Sequence, residues 1–561
     1  MTKKGSKAKT FAATAAAVAP KTALDAAGHF HKTLEHDPAT GLVKNPADFQ
    51  RLWTVMMDPS SDGAGVETVP AAGCADKFAN PLAAFATGEI FPDPSVFRLE
   101  PPPSIQSTDM AAEMIELYWM ALLRDVPFVE LAAVPGHTAS ALADLDTALQ
   151  ASTGQLTRGH GGDFATTLDA STLFRGTGPG EDVGPLVSQF WLRDIPYGTQ
   201  TISQRQLRYP GRKRPGENGR PYDHLYGWSK WLFAQNTGRD EQGRPYEQAN
   251  RDERGANDYG YISTMRDLAS FVHRDALHQA YFNAALYLLS QLGHAPIWDD
   301  GNPYVRSGSG GGWKRQKGFG TYGGPHLLTA VSEVASRALQ VQWYQKWRVH
   351  LRLRPEAYGG LVEKDILLQP IGPSGATGKD AHALLKNSKA LDAIATEYGS
   401  SGLLPLAFSS GSPTHPSYGA GHATVAGACV TVLKIYFDDE APFPGPVLLP
   451  SPDGSLPSTP YVGPTLTIGG ELNKLASNVA MGRSMGGVHF RTDNMRSMRM
   501  GEELAAVMVA NQLSHFREGA DVELHFTSFA GDRITVSPKR ISGYADPMKD
   551  MYLTNLAIPL P

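Results

Sequence analysis

Apolar residues recur at helical spacing along most of the chain after Pro101. Met110, Met114, Leu117, Ala121 and the Leu122-Leu123 pair form one stripe, with Ser107, Thr108 and Asp109 as N-cap oxygens before it and Pro127 just beyond. The same spacing predicts a helix over about 263–291, through Leu268, Phe271, Val272, Leu277, Leu286 and Leu289, closed by Gly293. Another is predicted over about 325–350, opened by Pro325 at a first helical position and carrying Leu328, Val331, Ala335, Leu339 and Gln342. Residues 422–437, 470–481 and 489–513 complete the set. Strand signals are short, as at Thr465 to Ile468 and Val522 to Phe526. The expected fold is mainly α, a helical bundle with long loops and few short strands.

Outside this pattern, residues 1–50 are rich in Ala, Lys and Asp and read as an arm or tail, leaving 51–561 as one large helical unit. The start, MTKKGSKAKTFAATAAAVAPK, has the basic opening of an export signal and an A-x-A at Ala17 to Ala19. Its apolar stretch is short and mostly alanine, so a disordered arm is the preferred reading and export the alternative. Two long loops are expected. Residues 204–258 carry Arg205, Arg208, Arg212, Lys213, Arg214 and Arg220 among Pro and Gly and read as a solvated or subunit-contact loop; residues 299–324 are glycine-rich but lack the P-loop order.

Composition narrows the function classes. With 51 Lys+Arg against 56 Asp+Glu the net charge is −5, which argues against nucleic acid as a partner. No apolar run approaches the ~18 residues of a membrane span, so a soluble, cytoplasmic or cell-associated protein is expected. The two cysteines, Cys74 and Cys429, are too few for a disulfide framework, lack metal-site spacing, and are expected to be buried.

Three clusters concentrate chemistry. In KWRVHLRLRP, Lys346 and Arg354 lie about two turns apart near a predicted helix end, where two cations could face one tetrahedral oxyanion or simply favour the helix dipole. In SPTHPSYGAGHATVAGA, a glycine-rich elbow runs into an alanine-rich helix; the N–H groups of Gly421 and His422 would point at an anion, with His422 above it as acid or base. His415 precedes it in the same loop, where a capping role is the ordinary alternative. In GRSMGGVHFRTD, Arg483 precedes His489, and Asp493 follows His489 by one helical turn, close enough to accept its Nδ1 proton and leave Nε2 free.

The order K-x7-RP, an HPSYGAGHA loop, then R-x5-H-x3-D resembles the signature shared by vanadium-dependent haloperoxidases and type 2 phosphatidic-acid or acid phosphatases. The spacing of the first motif, the form of the second, GPLVSQF at 184–190 and the stretch GGPHLLTAVSEVASRALQVQWYQKW resemble the algal and cyanobacterial bromoperoxidase branch, over roughly residues 100–555. The resemblance implies an α-helical bundle holding orthovanadate. Lys346, Arg354, Arg483 and the Gly421 N–H would bind its oxygens, His489 would be the axial vanadium ligand oriented by Asp493, and His422 would take the proton of hydrogen peroxide. Halide would then be oxidised to hypohalous acid, which halogenates small organic substrates.

Two positions depart from the family pattern. Ala420 stands where a vanadate-contacting serine is usual, removing a contact worth on the order of 1–3 kcal/mol, and Gly482 replaces the serine that often precedes the motif arginine. His415 resembles the second histidine of bromoperoxidases, whereas Trp343 resembles the chloroperoxidase side; both are assigned to the halide pocket, with bromide and iodide expected before chloride. The rival readings are an acid phosphatase with His489 as nucleophile, and a non-catalytic anion binder. A large homo-oligomer is expected from the branch. Calcium, present in some relatives, has no unambiguous acidic cluster here.

Overall fold

The computed structural model describes residues 19–557 apart from 87–91, 132–135, 209–222, 249–258, 292–296, 307–312, 373, 458–460, 520 and 539. Helix Gly421–Tyr436 is almost entirely buried and lies at the centre, packed against Arg491–His515, Gly324–Tyr344 and Ile468–Met485. At its crossing with Arg491–His515 the backbones touch. A Cβ on Gly427 would lie 2.0 Å from the Met498 carbonyl oxygen, and one on Gly501 would lie 2.2 Å from that of Thr424. Glycine at both positions is therefore a steric requirement. Helix Thr108–Leu122, capped by Ser107 Oγ accepting from the Met110 N–H, packs beneath this group with its face of Asp109, Glu113 and Glu116 also buried. A three-stranded antiparallel sheet, Leu524–Thr527, Arg533–Ser537 and Arg540–Ser542, closes the C-terminal side with Leu524 opposite Val536 and Val536 opposite Ile541.

The helical expectations hold with local departures. The helix expected over 263–291 is two, Met265–Phe271 and Gln279–Ser290, and Gly293 lies outside the described residues. The break has a physical cause: the Val272 carbonyl accepts from Arg483 Nη1 at 2.9 Å, and Arg274 and Asp275 both turn their N–H back to Phe271. The helix opened by Pro325 runs from Gly324 to Tyr344, continues as a π-helical turn Gln345–His350 and stops at Leu351, whose φ is 45°. Lys346 and Arg354 thus do not share an α-helix. Thr465 to Ile468 is not a strand; Thr467 caps and Ile468 opens helix Ile468–Met485. Within 204–258, the expected loop holds helix Trp228–Thr237, while Arg205 and Arg208 bind carbonyls of Tyr259 and Asp453. Arg212, Lys213, Arg214 and Arg220 lie outside the described residues, as do residues 1–18. Cys429 is buried, but Cys74 is exposed, against expectation.

Residues 19–50 correct the reading of a free arm. Ala26, Phe30, Leu34, Phe49 and Leu52 form a cluster with Trp347 and Leu351, at the π-helical turn. His29 bridges to Arg352, and Phe30 N–H donates to the Leu351 carbonyl at 2.7 Å. Lys32 Nζ lies 2.7 Å from Glu356 Oε1 with both side chains buried. Breaking such a pair leaves an uncompensated buried charge and costs about 3–5 kcal/mol.

The same segment contains a buried histidine pair, His31 Nδ1 and His36 Nε2 at 2.9 Å, with His36 Nδ1 3.0 Å from Asn236 Oδ1. Burial lowers His36 from 6.5 to about 4. The folded state therefore binds fewer protons than the unfolded one below pH 6.5. Stability is full above that pH and falls as pH drops towards 4. Between pH 7.5 and 5 the unmodified protein should lose about 2 kcal/mol more than His36→Gln in denaturant unfolding, and equal losses would contradict this.

Candidate functional site

Four segments converge at the N-terminal end of helix Gly421–Tyr436: the π-helical turn and the extended residues after it, the loop 409–420, the last turn of helix Ile468–Met485, and the start of helix Arg491–His515. They bring together every residue singled out in the three sequence clusters. Lys346 Nζ donates to the carbonyls of Pro416 and Ser417 at 2.7 and 2.9 Å. Arg354 is the N-cap residue of helix Pro355–Glu363. Its Nε donates to the His415 carbonyl at 3.0 Å, and its Nη1 to the Val488 carbonyl at 2.7 Å. Arg483 Nη1 donates to Tyr246 Oη at 2.7 Å and to the Val272 carbonyl, while its buried Nε has no partner among the described residues.

Among the described residues none of these three cations is within salt-bridge distance of a carboxylate, although each is buried. Burial, and next the Arg354 guanidinium, hold the Lys346 ammonium well below its usual value. Burial and then Arg483 bring Arg354 down to about 9. Three positive groups that depress one another are relieved by an anion placed between them. The elbow adds to this: helix Gly421–Tyr436 has no side-chain cap, and the Gly421 and His422 N–H groups have no acceptor among the described residues. A Cβ on Gly421 would reach only Trp343 and Leu339, at 3.4 and 3.8 Å. The donor set of free N–H groups, an unpartnered guanidinium nitrogen and unpaired cations fits a tetrahedral oxyanion such as vanadate.

His489 lies just before helix Arg491–His515, not on it. Its Nδ1 is 3.0 Å from Asp493 Oδ2, and its Nε2 accepts from Arg354 Nη1 at 3.0 Å, which puts the ring proton on Nδ1. Burial, then Arg354, Lys346 and Arg483, hold His489 well below its usual value, so the ring is neutral. Asp493 Oδ2 also accepts from the Phe490 N–H at 2.9 Å and from Ser417 Oγ, and Oδ1 accepts from Arg352 Nη1 at 2.6 Å. His415 is also neutral, lowered by burial and then by Lys346 and Arg354. Its Nδ1 lies 2.9 Å from Arg354 Nη2 and 3.2 Å from the Pro416 carbonyl; the guanidinium can only donate, so the closer contact favours the tautomer with the proton on Nε2. Its ring lies 5.0 Å from that of Trp343, whose indole N–H is taken by the Ala79 carbonyl at 3.1 Å. Trp343 therefore presents its ring to the site, with no free donor.

Three participants were missed in the sequence. Asp275 accepts from His422 Nε2 at 3.0 Å and sits in the break between the two helices of 263–291, a break that periodicity did not signal. Tyr246 anchors Arg483 from a loop without pattern, while Phe408 and His273 stack at 4.2 Å beside it. Arg352 stood inside the first motif but was overshadowed by its neighbours. At Gly482 a Cβ would lie 3.2 Å from Val272 Cγ1, a tight fit for the serine of the family pattern. No group of three or more His, Cys, Asp or Glu side chains that could hold a metal ion occurs among the described residues, and no helix there is long and apolar enough to cross a membrane.

Sulfate, whose charge is constant with pH, probes the cation set directly. The Lys346 ammonium, held well below its usual value, loses its proton first as the pH rises towards that value, so sulfate affinity should fall with rising pH. Calorimetry showing constant affinity from about pH 7 to 10 would contradict the depressed ammonium.

Comparison with known proteins concerns the chain as a whole. The family model for the VCPO second helical-bundle domain matches residues 387–518. The vanadium-dependent bromoperoxidase of Corallina pilulifera is 33% identical over 476 residues, covering 75% of this chain and 73% of that protein. That of Ascophyllum nodosum is 32% identical over 530 residues, covering 91% and 86%. The homohexameric structure of the second vanadate-dependent bromoperoxidase of Ascophyllum nodosum matches with a TM-score of 0.76 at 29% identity, over 92% of this chain and 85% of that one. With a third or so of its residues shared across most of both lengths, this chain belongs to the vanadium-dependent bromoperoxidase family.

Proposed function

We propose that the protein is a vanadate-dependent haloperoxidase that uses hydrogen peroxide to oxidise bromide or iodide, and chloride less readily, to hypohalous acid. The observation that carries this reading is the convergence of three buried cations, without carboxylate partners among the described residues, on a neutral histidine whose far nitrogen is held by a carboxylate. Lys346, Arg354, Arg483 and the Gly421 N–H would hold the oxygens of vanadate, and His489 Nε2 would be the ligand to vanadium. Bound vanadate supplies Lewis acidity towards peroxide without a change of oxidation state.

The protein's own part is charge, orientation and proton transfer. Fixed cations stabilise negative charge on the peroxide oxygens without reorganising, because burial has already removed competing water. Asp493 keeps the His489 proton on Nδ1, so that Nε2 carries the lone pair, which accepts from Arg354 Nη1 and would be released to vanadium when that N–H turns to a vanadate oxygen. His422 donates Nε2–H to Asp275, which leaves Nδ1 as the base for a peroxide proton. With 19% of its side chain open to solvent, His422 can exchange that proton with water. Trp343 and His415 form the wall on the other side, where a halide would meet an aromatic ring and the His415 Nε2–H rather than an indole N–H. A homo-oligomeric assembly is part of the reading. It is supported by the homohexameric neighbour and by the exposed Met548, Met551 and Tyr552 on helix Pro547–Ala557.

The decisive experiment adds vanadate to metal-free protein and follows bromide-dependent peroxide consumption alongside phosphate-ester hydrolysis. Bromide oxidation should appear with saturating vanadate and fall by about 10²–10⁴ in His422→Ala, the range for loss of a general acid–base group. Ester hydrolysis without halide oxidation would identify a phosphatase. Vanadate binding without either activity would identify a binder.

A further inference from the structure

Two arginines on one extended segment reach the His489 ring, one at each nitrogen. Arg354 acts directly at Nε2, and Arg352, two residues earlier, acts through Asp493 at Nδ1. From this geometry we infer that Arg352 is a positioning residue for His489: it fixes the plane of the Asp493 carboxylate and so the direction of the His489 ring. The inference rests on the reading of His489 as the vanadium ligand.

The two oxygens of Asp493 are loaded differently. Oδ2 accepts from His489 Nδ1, the Phe490 N–H and Ser417 Oγ, whereas Oδ1 has Arg352 Nη1 as its single partner among the described residues, at 2.6 Å. Donors on Oδ2 alone allow the carboxylate to pivot about that atom; a second point of attachment on Oδ1 sets its plane. The guanidinium that provides it is itself fixed. Its centre stands 4.2 Å from the Phe490 ring centroid, its Nη2 donates to Glu113 Oε2 at 3.1 Å, and the residue is 3% exposed.

The main chain of Arg352 contributes as well. Its carbonyl accepts the Ser417 N–H at 3.0 Å, so one residue places both the carboxylate and the loop hydroxyl that donates to it. Glu113 Oε1 accepts the N–H and Oγ1–H of Thr492 at 2.6 and 2.7 Å, and Arg352 Nη1 also donates to Thr492 Oγ1 at 2.9 Å, so both residues steady the first turn of helix Arg491–His515. Only Arg352 reaches the Asp493 carboxylate, and a glutamine at 113 keeps an amide oxygen for Arg352 Nη2. Loss of Arg352 should therefore disturb His489, whereas loss of the Glu113 charge should disturb mainly that turn. Arg352 touches neither the proposed anion site nor its N–H donors, which separates its role from that of Lys346, Arg354 and Arg483.

The test compares the full-length metal-free protein with Arg352→Gln, Arg352→Lys and Glu113→Gln, each checked for folding by thermal unfolding. Orthovanadate affinity is measured by calorimetry, and the His489 ring by ¹⁵N NMR without vanadate. Arg352→Gln should bind orthovanadate at least tenfold more weakly and lose the single Nδ1–H signature. Arg352→Lys should be intermediate, three- to tenfold weaker, and Glu113→Gln within threefold of the unmodified protein. The inference is overturned by Arg352→Gln with unchanged affinity and ring signature, or by a Glu113→Gln loss as large as that of Arg352→Gln. If Arg352→Gln does not fold, Arg352→Lys decides, and identity with the unmodified protein in both readouts overturns it. Should the unmodified protein not bind orthovanadate, the reading of His489 as ligand falls, while the NMR comparison still decides whether Arg352 orients the ring.

Discussion

Mutual repulsion among Lys346, Arg354 and Arg483 is the constraint around which the rest is arranged. Three cations can be buried side by side only if their protons are satisfied by groups that do not cancel their charge. The fold supplies carbonyls for this purpose: those of Pro416 and Ser417 for Lys346, His415 and Val488 for Arg354, and Val272 for Arg483. A carbonyl solvates a cation while leaving its field available to an incoming anion; a carboxylate would neutralise it. Each irregularity near the site serves this end. The helix after Met265 breaks where a carbonyl is needed, and the helix after Gly324 loosens into a π turn where Lys346 must turn inward.

Negative charge is kept one layer back. Asp493, Glu113 and Glu116 are buried with Arg352 and Arg491 as partners, so the positive face and its compensation are stacked rather than mixed. His489 stands at the boundary between them, neutral, with one nitrogen towards each layer. Asp275 repeats the arrangement on a smaller scale for His422. A mostly apolar bundle can accommodate this polar sandwich because its central helices meet at Gly427 and Gly501, where backbone contact replaces side-chain bulk.

The sequence showed the helices through their spacing and the site through its motifs, because both are local signals. Lys346, Arg354, Gly421, His422, Arg483, His489 and Asp493 stand in three short runs that could be read together. Asp275 could not be found in this way: it reaches His422 across 147 positions, from a helix break caused by a tertiary hydrogen bond. Residues 19–50 misled for another reason. Ala26, Phe30 and Leu34 recur at every fourth position but only Ala26 stands in a helix, one turn long, while the buried face of Phe49, Leu52, Trp53 and Met56 belongs to helix Pro46–Met57, which straddles the boundary drawn at residue 50. Trp343 was assigned by resemblance to a halide pocket, and only the contact with Ala79 shows that its donor is already engaged.

The buried pair of Lys32 and Glu356 carries a consequence for how the molecule is assembled. Glu356 accepts the Ser412 N–H at 2.7 Å, while Lys32 donates to the carbonyls of Ser410 and Ser412, so one ion pair ties the elbow loop to the first helix after Arg354. Its two members are 324 positions apart. The elbow that carries the chemistry is thus held in shape from outside itself, by a residue near the start of the chain that touches none of the anion-facing groups, and the anion site is only as ordered as that distant tether.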